Sequence, residues 1–380
     1  MLVNPKSSNA IENTMNKIMA LKEDTAANII LAFIILIVIF ATIYLWRMSK
    51  LQKTNCSAID KLYSKINGSI TSLNKNDPNC NYLFRDYYIK TAYNCCSTGT
   101  YKNDFVSTCA LKDILKQGVR GLDFEIYSVN NLPVIATSTV KSNFVKETYN
   151  YVPVSEAMDI ITNYAFSGGT APNPMDPIIL HFRFKSTNPE MYKILADIFK
   201  QYDSMFLGPT TSYENNGKNM GNLKLIDLQK KIIVIVEKSN NSFMENKEFY
   251  EYVNITSNSI FMRALTYYSV KNTPDIVELQ EFNKQNMTIS LPDNDSSNPA
   301  NPSGIVCRET GVQMTAMRYQ LNDVNIQEND SFFNKSGYAF CLKPDRLRYI
   351  PIIIPEATKQ NPALSFQTRE VKADYYSFKI

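Results

Sequence analysis

ALKDILKQGVRGLDFEIY, residues Ala110 to Tyr127, changes from one periodicity to another within a single short stretch. Leu111, Ile114 and Leu115 recur at the spacing of one helix face, and the following GLDFEIY places two acids two residues apart, as on one face of a strand. A helix that leads directly into a strand predicts one unit of an α/β fold.

The same alternation continues on the C-terminal side of this stretch. Helix patterns and strand patterns follow one another at SEAMDIITNYAFS (155–167), PIILHFRF (177–184), PEMYKILADIFKQY (189–202) and KKIIVIVEK (230–238). Such alternation predicts a parallel sheet covered by helices, either doubly wound or closed into a barrel. No glycine-rich phosphate loop follows any of these strands, which disfavours a nucleotide-binding doubly wound sheet.

A long apolar run lies on the N-terminal side. NIILAFIILIVIFATIYLW, Asn28 to Trp46, can cross a hydrocarbon core of about 30 Å at about 1.5 Å per residue. Tyr44 and Trp46 stand at one end of the run, where aromatic rings favour the headgroup level. The run predicts a transmembrane helix at residues 28–47, with Ile29 to Trp46 in the membrane. A cleaved signal peptide is the alternative, and the absence of a small-residue cleavage site disfavours it.

The side of the membrane that carries the body stays open. Arg47, Lys50 and Lys53 follow the apolar run and favour a cytoplasmic body. Seven cysteines and N-x-S/T sequons, such as those at Asn67 and Asn254, favour an oxidising lumen instead. Neither signal decides the topology, because the cysteine count is odd and an asparagine-rich chain produces sequons by chance.

The segment after the apolar run carries an apolar stripe with helical spacing, formed by Ile59, Leu62, Ile66, Ile70 and Leu73. We expect a short helical stalk packed on its own body, because Gly68 and the short repeat disfavour a coiled coil. The predicted organisation is an N-terminal segment (1–27), the transmembrane helix (28–47), a stalk or linker (48–82), a barrel (83–350) with halves at about 83–240 and 248–350, and a C-terminal tail (351–380).

Charge composition excludes one class of partner. The chain has 40 basic and 36 acidic residues and a formal net charge of +4. A protein that binds nucleic acid through its phosphates needs a larger or more clustered positive charge. We therefore expect no nucleic-acid partner.

Two ordered sets of motifs resemble the phosphoinositide-specific phospholipases C. ALKDILKQGVRGLDFEIY with NLPVIATST is similar to the first catalytic half of that family, and the second half is matched by DNDSSNPANP, GVQMTAMRYQLND and SGYAFCLKPDRLRY. The last run departs from the family pattern by two extra residues between Tyr338 and Lys343. The resemblance spans about Leu83 to Tyr349. It implies a TIM-type (β/α)8 barrel in two halves, with its site at the C-terminal ends of the strands.

The resemblance also implies that two catalytic histidines are missing. The family uses two histidines for proton transfer and charge stabilisation near neutral pH. Their positions fall on Tyr93, within IKTAYNCCSTG, and on Thr137, and neither side chain replaces an imidazole at pH 7. The whole chain has one histidine, His181. It is either a general base or, in the interpretation we favour, a hydrogen-bonded core residue.

The calcium positions of the family are changed as well. They fall on Asn94, Asp123, Glu125 and Arg183, and the arginine repels a cation. Asp123 and Glu125 are then either an acid/base pair or, as we favour, an ion cluster with Arg183. We expect no metal and no cofactor, because Arg183 disfavours calcium.

The positions that bind the lipid headgroup in the family carry unsuitable residues in this chain. The phosphate-gripping Lys-Gly-Lys falls on Ile235 to Glu237, and an arginine and a tyrosine fall on Ile289 and Leu291. Aliphatic side chains neither hold a phosphate nor stack on an inositol ring in the family's manner.

Two cysteine pairs leave alternatives open. Cys95 and Cys96, beside the former catalytic loop, are nucleophile candidates, although buried packing or a disulfide is favoured. Cys307 and Cys341 lie near runs that are neighbouring strands in the family. The resemblance therefore allows a disulfide between them if the body is lumenal.

The sequence thus predicts a single-pass membrane protein with a catalytically degenerate phospholipase C-like barrel, a pseudoenzyme rather than an enzyme. Its barrel mouth would bind a protein partner or a membrane surface. An anchored barrel of this kind is similar to the phospholipase-like proteins of large DNA viruses, which implies a structural role in a virion or its membrane. The alternative is an active phosphodiesterase that uses Glu125 or His181 as base and Arg183 for phosphate.

Overall fold

The computed structural model describes residues 23–140, 145–212, 218–293, 296–351, 358, 361 and 366–380. The first 22 residues of the predicted N-terminal segment lie outside the described residues, as do Asn294 and Asp295 of the DNDSSN run and parts of the predicted tail. The chain divides into two compact units between Arg348 and Tyr349.

The first element is one long helix, α1 (Glu23–Tyr63), of 41 residues. Its N-terminal part is long and apolar enough to cross a membrane, by length and composition. The helix begins before residue 28 and continues into the stalk.

The predicted helical stripe is wrong beyond Tyr63, where α1 ends. From Asn67 onward, backbone groups of this segment form hydrogen bonds with the body. The Asn67 amide donates to the Lys116 carbonyl at 2.9 Å, and the Thr71 amide donates to the Gly337 carbonyl at 2.9 Å. Gly68 lies in this segment and lowers the cost of leaving the helix.

The body contains a parallel barrel. The strands are β1 (Tyr87–Ala92), β2 (Gly121–Val129), β3 (Leu132–Ile135), β4 (Val152–Pro153), β5 (Ile178–Phe184), β6 (Ile232–Glu237), β7 (Val253–Ser257), β8 (Met262–Thr266), β9 (Met287–Leu291), β10 (Met314–Met317) and β11 (Phe340–Leu342). Within the described residues the hydrogen-bonded strands of the barrel follow the order β7-β6-β5-β2-β1-β10-β9-β8, and every neighbouring pair is parallel.

Helices connect these strands, as in a TIM-type fold. They are α2 (Thr108–Lys116), α3 (Val154–Ile160), α4 (Pro189–Lys200), α5 (Lys247–Tyr250), α6 (Tyr267–Lys271), α7 (Ile276–Gln285), α8 (Gly304–Glu309) and α9 (Val324–Ser336). The predicted barrel class, with an apolar N-terminal helix, is confirmed. The mouth of the barrel is the end at which β1, β2, β5 to β10 terminate.

Alternation along the strands separates two cores. Leu180 and Phe182 of β5 pack outward with the helices, whereas Ile179 packs in the barrel interior. His181 and Arg183 share the inward face with Ile179, because residues two apart on a strand point the same way. The barrel interior is therefore apolar in its lower layers and charged near the mouth.

One disulfide links α1 to the body, between Cys56 and Cys109. Cys307 and Cys341 are free thiols, so the disulfide allowed between them is not formed. Cys95 and Cys96 are also free and buried, and burial raises the pKa of both thiols, which opposes a nucleophilic role.

The second unit contains a hairpin of β12 (Glu370–Ala373) and β13 (Tyr376–Lys379). The strands are antiparallel, with Val371 opposite Phe378. Tyr376 and Phe378 stack on one face of it, with ring centroids 5.7 Å apart.

Candidate functional site

Four of the predicted site residues lie side by side on two neighbouring strands. In the register of β2 and β5, Asp123 is opposite His181 and Glu125 is opposite Arg183. All four side chains are buried. The parallel pairing of these strands brings both acids and the arginine to one layer near the mouth of the barrel.

The Arg183 guanidinium is the centre of this layer. Its Nε donates to Asp123 Oδ1 at 3.0 Å, and its Nη2 donates to Asp123 Oδ2 at 2.8 Å. Nη1 donates to Glu125 Oε1 at 2.6 Å, and Nη2 also donates to Asn94 Oδ1 at 2.9 Å. The guanidinium therefore joins all of the predicted calcium positions into one network.

Asp123 remains charged within this network. Burial alone would raise the pKa of Asp123, but the Arg183 charge and the hydrogen bonds from His181 and Arg183 outweigh it and lower the pKa to about 2. Burial also opposes the charge on Arg183, but the Asp123 carboxylate raises the Arg183 pKa well above its ordinary value. The pair is thus ionised at every physiological pH.

His181 has no free ring nitrogen. Its Nδ1 lies 2.7 Å from Asp123 Oδ1, and its Nε2 lies 3.0 Å from the Ser257 hydroxyl. The side chain is completely buried. A general base needs a nitrogen within reach of a substrate proton, and both nitrogens of His181 are already engaged.

Tyr93 covers the arginine from the mouth side of β1. The Arg183 Cζ lies 4.6 Å from the Tyr93 ring centroid, a cation–π contact. Tyr101 packs edge-on against the same ring, with centroids 5.5 Å apart. Burial raises the pKa of Tyr93 well above its ordinary value, so its hydroxyl does not transfer protons near neutral pH.

The backbone after Tyr93 is shaped for this network. Asn94 has a φ of 45°, in the left-handed region, where asparagine is favoured over most other residues. Its amide donates to Asp123 Oδ2 at 3.2 Å while its side chain accepts from Arg183. Asn94 therefore forms hydrogen bonds with both members of the buried ion pair, through its backbone amide and its side-chain oxygen.

Glu125 and Thr137 are held by groups that sequence analysis missed. Glu125 Oε2 accepts from the Tyr127 hydroxyl at 2.8 Å and from the Ser138 amide at 3.1 Å. The Thr137 hydroxyl donates to the Tyr101 carbonyl at 3.0 Å. Tyr127 lies two residues after Glu125, a spacing that could have indicated the contact. No sequence signal indicates Ser257 or Tyr101.

These residues do not fit a calcium ion. Calcium takes six to eight oxygen ligands, whereas here both Asp123 oxygens and Glu125 Oε1 accept from the Arg183 guanidinium. Among the residues that the structure describes, no group of three or more His, Cys, Asp or Glu side chains is arranged for a metal.

Above this layer lies an open pocket of about 250 Å³. The predicted headgroup positions contribute Glu237 and Leu291 to its wall, alongside Tyr93 and Arg183. Ile235 and Ile289 are instead fully buried in the barrel core. Lys185 also lines the pocket, and its place two residues after Arg183 would have predicted the shared face.

Comparison with known families agrees with this architecture. The model of the phosphatidylinositol-specific phospholipase C X domain matches residues 80–238, and the model of the Y domain matches residues 228–346. Together the two matches cover more than half of the 380 residues. The chain therefore belongs to the phosphatidylinositol-specific phospholipase C family, with both its X and its Y domain.

Solved structures show the same fold. PLC21 of L. pealei superimposes with a TM-score of 0.58 at 19% identity, over 73% of this chain and 39% of that chain. PLC21 of S. officinalis gives a TM-score of 0.54 at 19% identity, with the same coverage. This chain thus spans about two fifths of the length of those proteins. A search of curated protein sequences finds no match.

Proposed function

We propose that this protein is a membrane-anchored member of the family whose barrel mouth acts as a binding or structural module instead of a phosphodiesterase. The observation that carries this proposal is the position of Arg183. Its guanidinium is bonded to Asn94, Asp123 and Glu125, the residues at the family's calcium positions.

Proton transfer supports the same conclusion. Cleavage of a phosphodiester by this scaffold needs groups that gain and lose a proton near neutral pH. Burial raises the pKa of Tyr93 far above that range, and the Thr137 hydroxyl donates to a backbone carbonyl. His181 is the one histidine of the chain, and both its nitrogens have partners.

Phosphate binding is also poorly supported at the mouth. The pocket wall contains one acid, Glu237, together with Lys185 and Arg183, and the Arg183 guanidinium is already paired with buried carboxylates. A carboxylate in this position opposes a phosphate by like-charge repulsion. The pocket is therefore better suited to a neutral or mixed-charge surface than to an inositol phosphate.

Hydrolysis assays test the proposal directly. The full chain in detergent micelles is incubated with phosphatidylinositol and with glycerophosphodiesters, each with calcium and with a chelator, beside an active bacterial phospholipase C as positive control. We expect no turnover above background. Turnover that Glu125→Gln or His181→Ala abolishes, and that the exposed-site variant Lys335→Met retains, would establish an enzyme with altered residues instead.

The partner and the location remain predictions. A protein partner at the mouth is predicted from a scaffold that is kept without catalysis. A virion membrane as the location is predicted from the resemblance to the phospholipase-like proteins of large DNA viruses. Co-purification of the full chain with virion membranes would support that location, and its exclusive recovery in host membranes would contradict it.

A further inference from the structure

The disulfide between Cys56 and Cys109 bears on the side of the membrane that carries the body. Both cysteines are partly exposed, so small thiols and dithiol proteins can reach the bond. In the cytosol such reductants keep accessible cysteine pairs reduced, whereas disulfides persist in oxidising compartments. Cys56 lies ten residues after Trp46, so the bond is close to the point where the chain leaves the apolar run. The disulfide therefore favours a body on the non-cytosolic side.

The free cysteines are compatible with an oxidising compartment. Five of the seven cysteines are free thiols, and all of these except Cys341 are buried. Burial raises the pKa of all five thiols, which suppresses the reactive thiolate. The folded chain therefore keeps a single disulfide without needing a reducing environment to protect its other cysteines.

The basic residues after the apolar run are the opposing signal. Arg47, Lys50 and Lys53 favour a cytoplasmic body, but Lys17 and Lys22 precede the run, so basic residues flank both of its ends. The resulting bias on membrane insertion is weak. A formed disulfide is a chemical state of the folded chain, and it decides between the two sides.

The sequon at Asn67 forms a turn on the surface of this body. The Ile70 amide donates to the Asn67 carbonyl at 3.4 Å, and the Ser69 amide donates to Asn67 Oδ1 at 3.0 Å. Gly68 and Ser69 are exposed, and a Cβ on Gly68 would meet none of the described atoms within 4 Å. The turn therefore projects into open space.

The side-chain nitrogen of Asn67 has a hydrogen to spare. Asn67 Nδ2 donates to Asn334 Oδ1 at 2.8 Å, and the Asn67 backbone amide donates to the Lys116 carbonyl at 2.9 Å. A side-chain amide nitrogen carries two hydrogens, and the bond to Asn334 uses one of them. Replacement of the other hydrogen by a sugar leaves both contacts of Asn67 in place.

Other sequons of the described residues lack this freedom. Asn254 and Asn329 are only 3% and 2% exposed, so the folded body has no room for a bulky group on either. Asn55 Nδ2 donates to Asp104 Oδ1 at 2.9 Å, and a Cβ at Gly99 would lie 3.0 Å from the same nitrogen. The site at Asn55 is therefore crowded.

Asn67 also stands away from the bilayer. Helix α1 continues without a break from the apolar run to Tyr63. The 17 residues from Trp46 to Tyr63 correspond to about 26 Å along a helix axis, and Asn67 follows four residues later. A membrane-bound transferase therefore meets this sequon clear of the headgroups.

We propose that the body lies on the non-cytosolic side of the membrane and carries an N-linked oligosaccharide on Asn67. The donor is an oligosaccharide joined through a diphosphate to a membrane lipid. Asn67 Nδ2 forms a bond to the anomeric carbon of the sugar, and the bond from that carbon to the diphosphate oxygen breaks. The lipid diphosphate leaves, and one Nδ2 proton passes to a base of the transferase. The proposal rests on the membrane anchoring in the proposed function, but not on the loss of catalysis.

Enzymatic deglycosylation tests this modification. The full chain is expressed in cultured animal cells, and its membrane fraction is run on denaturing gels before and after digestion with a peptide N-glycosidase. We expect digestion to increase the mobility of the wild-type chain by the step of one glycan. Ser69→Ala removes the sequon but keeps Asn67, and it should run at the digested position without treatment. Ser331→Ala is the matched control, because it changes an exposed serine in the sequon of the buried Asn329, and it should keep the shift.

A count of free thiols by maleimide labelling in denaturant reports the compartment independently. We expect five of the seven cysteines to be labelled in the wild type and in Ser69→Ala, which also shows that the variant folds. Seven labelled cysteines without a glycan would place the body in the cytosol and overturn the proposal. Five labelled cysteines without a glycan, or a shift that Ser69→Ala retains, would overturn Asn67 as the site. Release of the chain from membranes by alkaline carbonate would overturn the membrane anchoring instead.

Discussion

The two ends of the barrel bury charge in different ways. At the mouth, the positively charged Arg183 is hydrogen-bonded to the carboxylates of Asp123 and Glu125, so opposite charges are in direct contact. At the other end, Lys343 Nζ donates to the Asn283 carbonyl at 2.7 Å. Lys343 forms no ion pair with any residue that the structure describes. The buried Asp86 there has one carboxylate oxygen, Oδ1, without a hydrogen-bond partner among the described residues.

The two ends of the barrel also differ in the pKa values of their buried ionisable groups. Burial lowers the pKa of Lys343 to about 7, and it raises the pKa of Asp86 although the Lys343 charge opposes this. At the mouth, the Arg183 charge outweighs burial and lowers the pKa of Asp123 to about 2. The far end of the barrel therefore holds a buried group, Lys343, whose pKa is near neutral, whereas the pKa of Asp123 at the mouth is far below that range.

The largest expected effect comes from removing the central cation. Arg183→Leu leaves two buried carboxylates unpaired, and we expect the free energy of unfolding to fall by about 3–5 kcal/mol. Chemical denaturation of the full chain in detergent micelles measures this. Arg346→Leu, at an ion pair more than half exposed, is the matched control and should cost under about 1 kcal/mol. Equal losses in the two variants would contradict the role of Arg183.

An intermediate effect is expected in acid. Because the pKa of Asp123 is lowered to about 2, its contribution to stability is present above pH 4 and is lost as the pH falls to 2. This contribution is on the order of 2 kcal/mol, and Asp123→Asn should lack it. Denaturation at pH 4 and pH 2 measures the difference, with the exposed Asp374→Asn as control. An unchanged acid dependence in Asp123→Asn would exclude the ionised pair.

The smallest effect is expected at the far end. The lowered pKa of Lys343 means that the folded state binds fewer protons than the unfolded state above pH 7, so its contribution makes stability rise with pH. We expect a rise of about 1 kcal/mol between pH 7 and pH 8, absent in Lys343→Met. Denaturation at both pH values checks this against Lys335→Met, on the exposed face of α9. The same rise in Lys343→Met would show that another group titrates.

Local patterns were enough to predict the alternation of strands and helices and the layout of two strands, whereas the closed barrel was predicted from the resemblance to the phospholipases C. Asp123 with Glu125, and His181 with Arg183, are two apart within apolar strands, so each pair had to share a face. The apolar run from residue 28 to residue 46 predicted a membrane-spanning helix, because its length as a helix matches a hydrocarbon core of about 30 Å.

Other features depend on contacts between distant parts of the chain. Ser257 contacts His181 only because β7 closes the ladder beside β6, and sequence spacing does not encode that distance. The Cys56–Cys109 disulfide joins residues 53 apart in a chain of seven cysteines, where pairing cannot be deduced from spacing. The end of α1 at Tyr63 was missed because barrel backbone groups compete with the helix for Asn67 and Thr71.

The Cys56–Cys109 bond also determines how mechanical load would travel through the molecule. A force that pulls the anchor away from the barrel passes through this covalent link into α2, and residues 57–108 form a loop outside the loaded path. That loop contains β1 and Tyr93. Tension on the membrane helix would therefore leave the first barrel strand unstretched until the sulfur–sulfur bond is reduced.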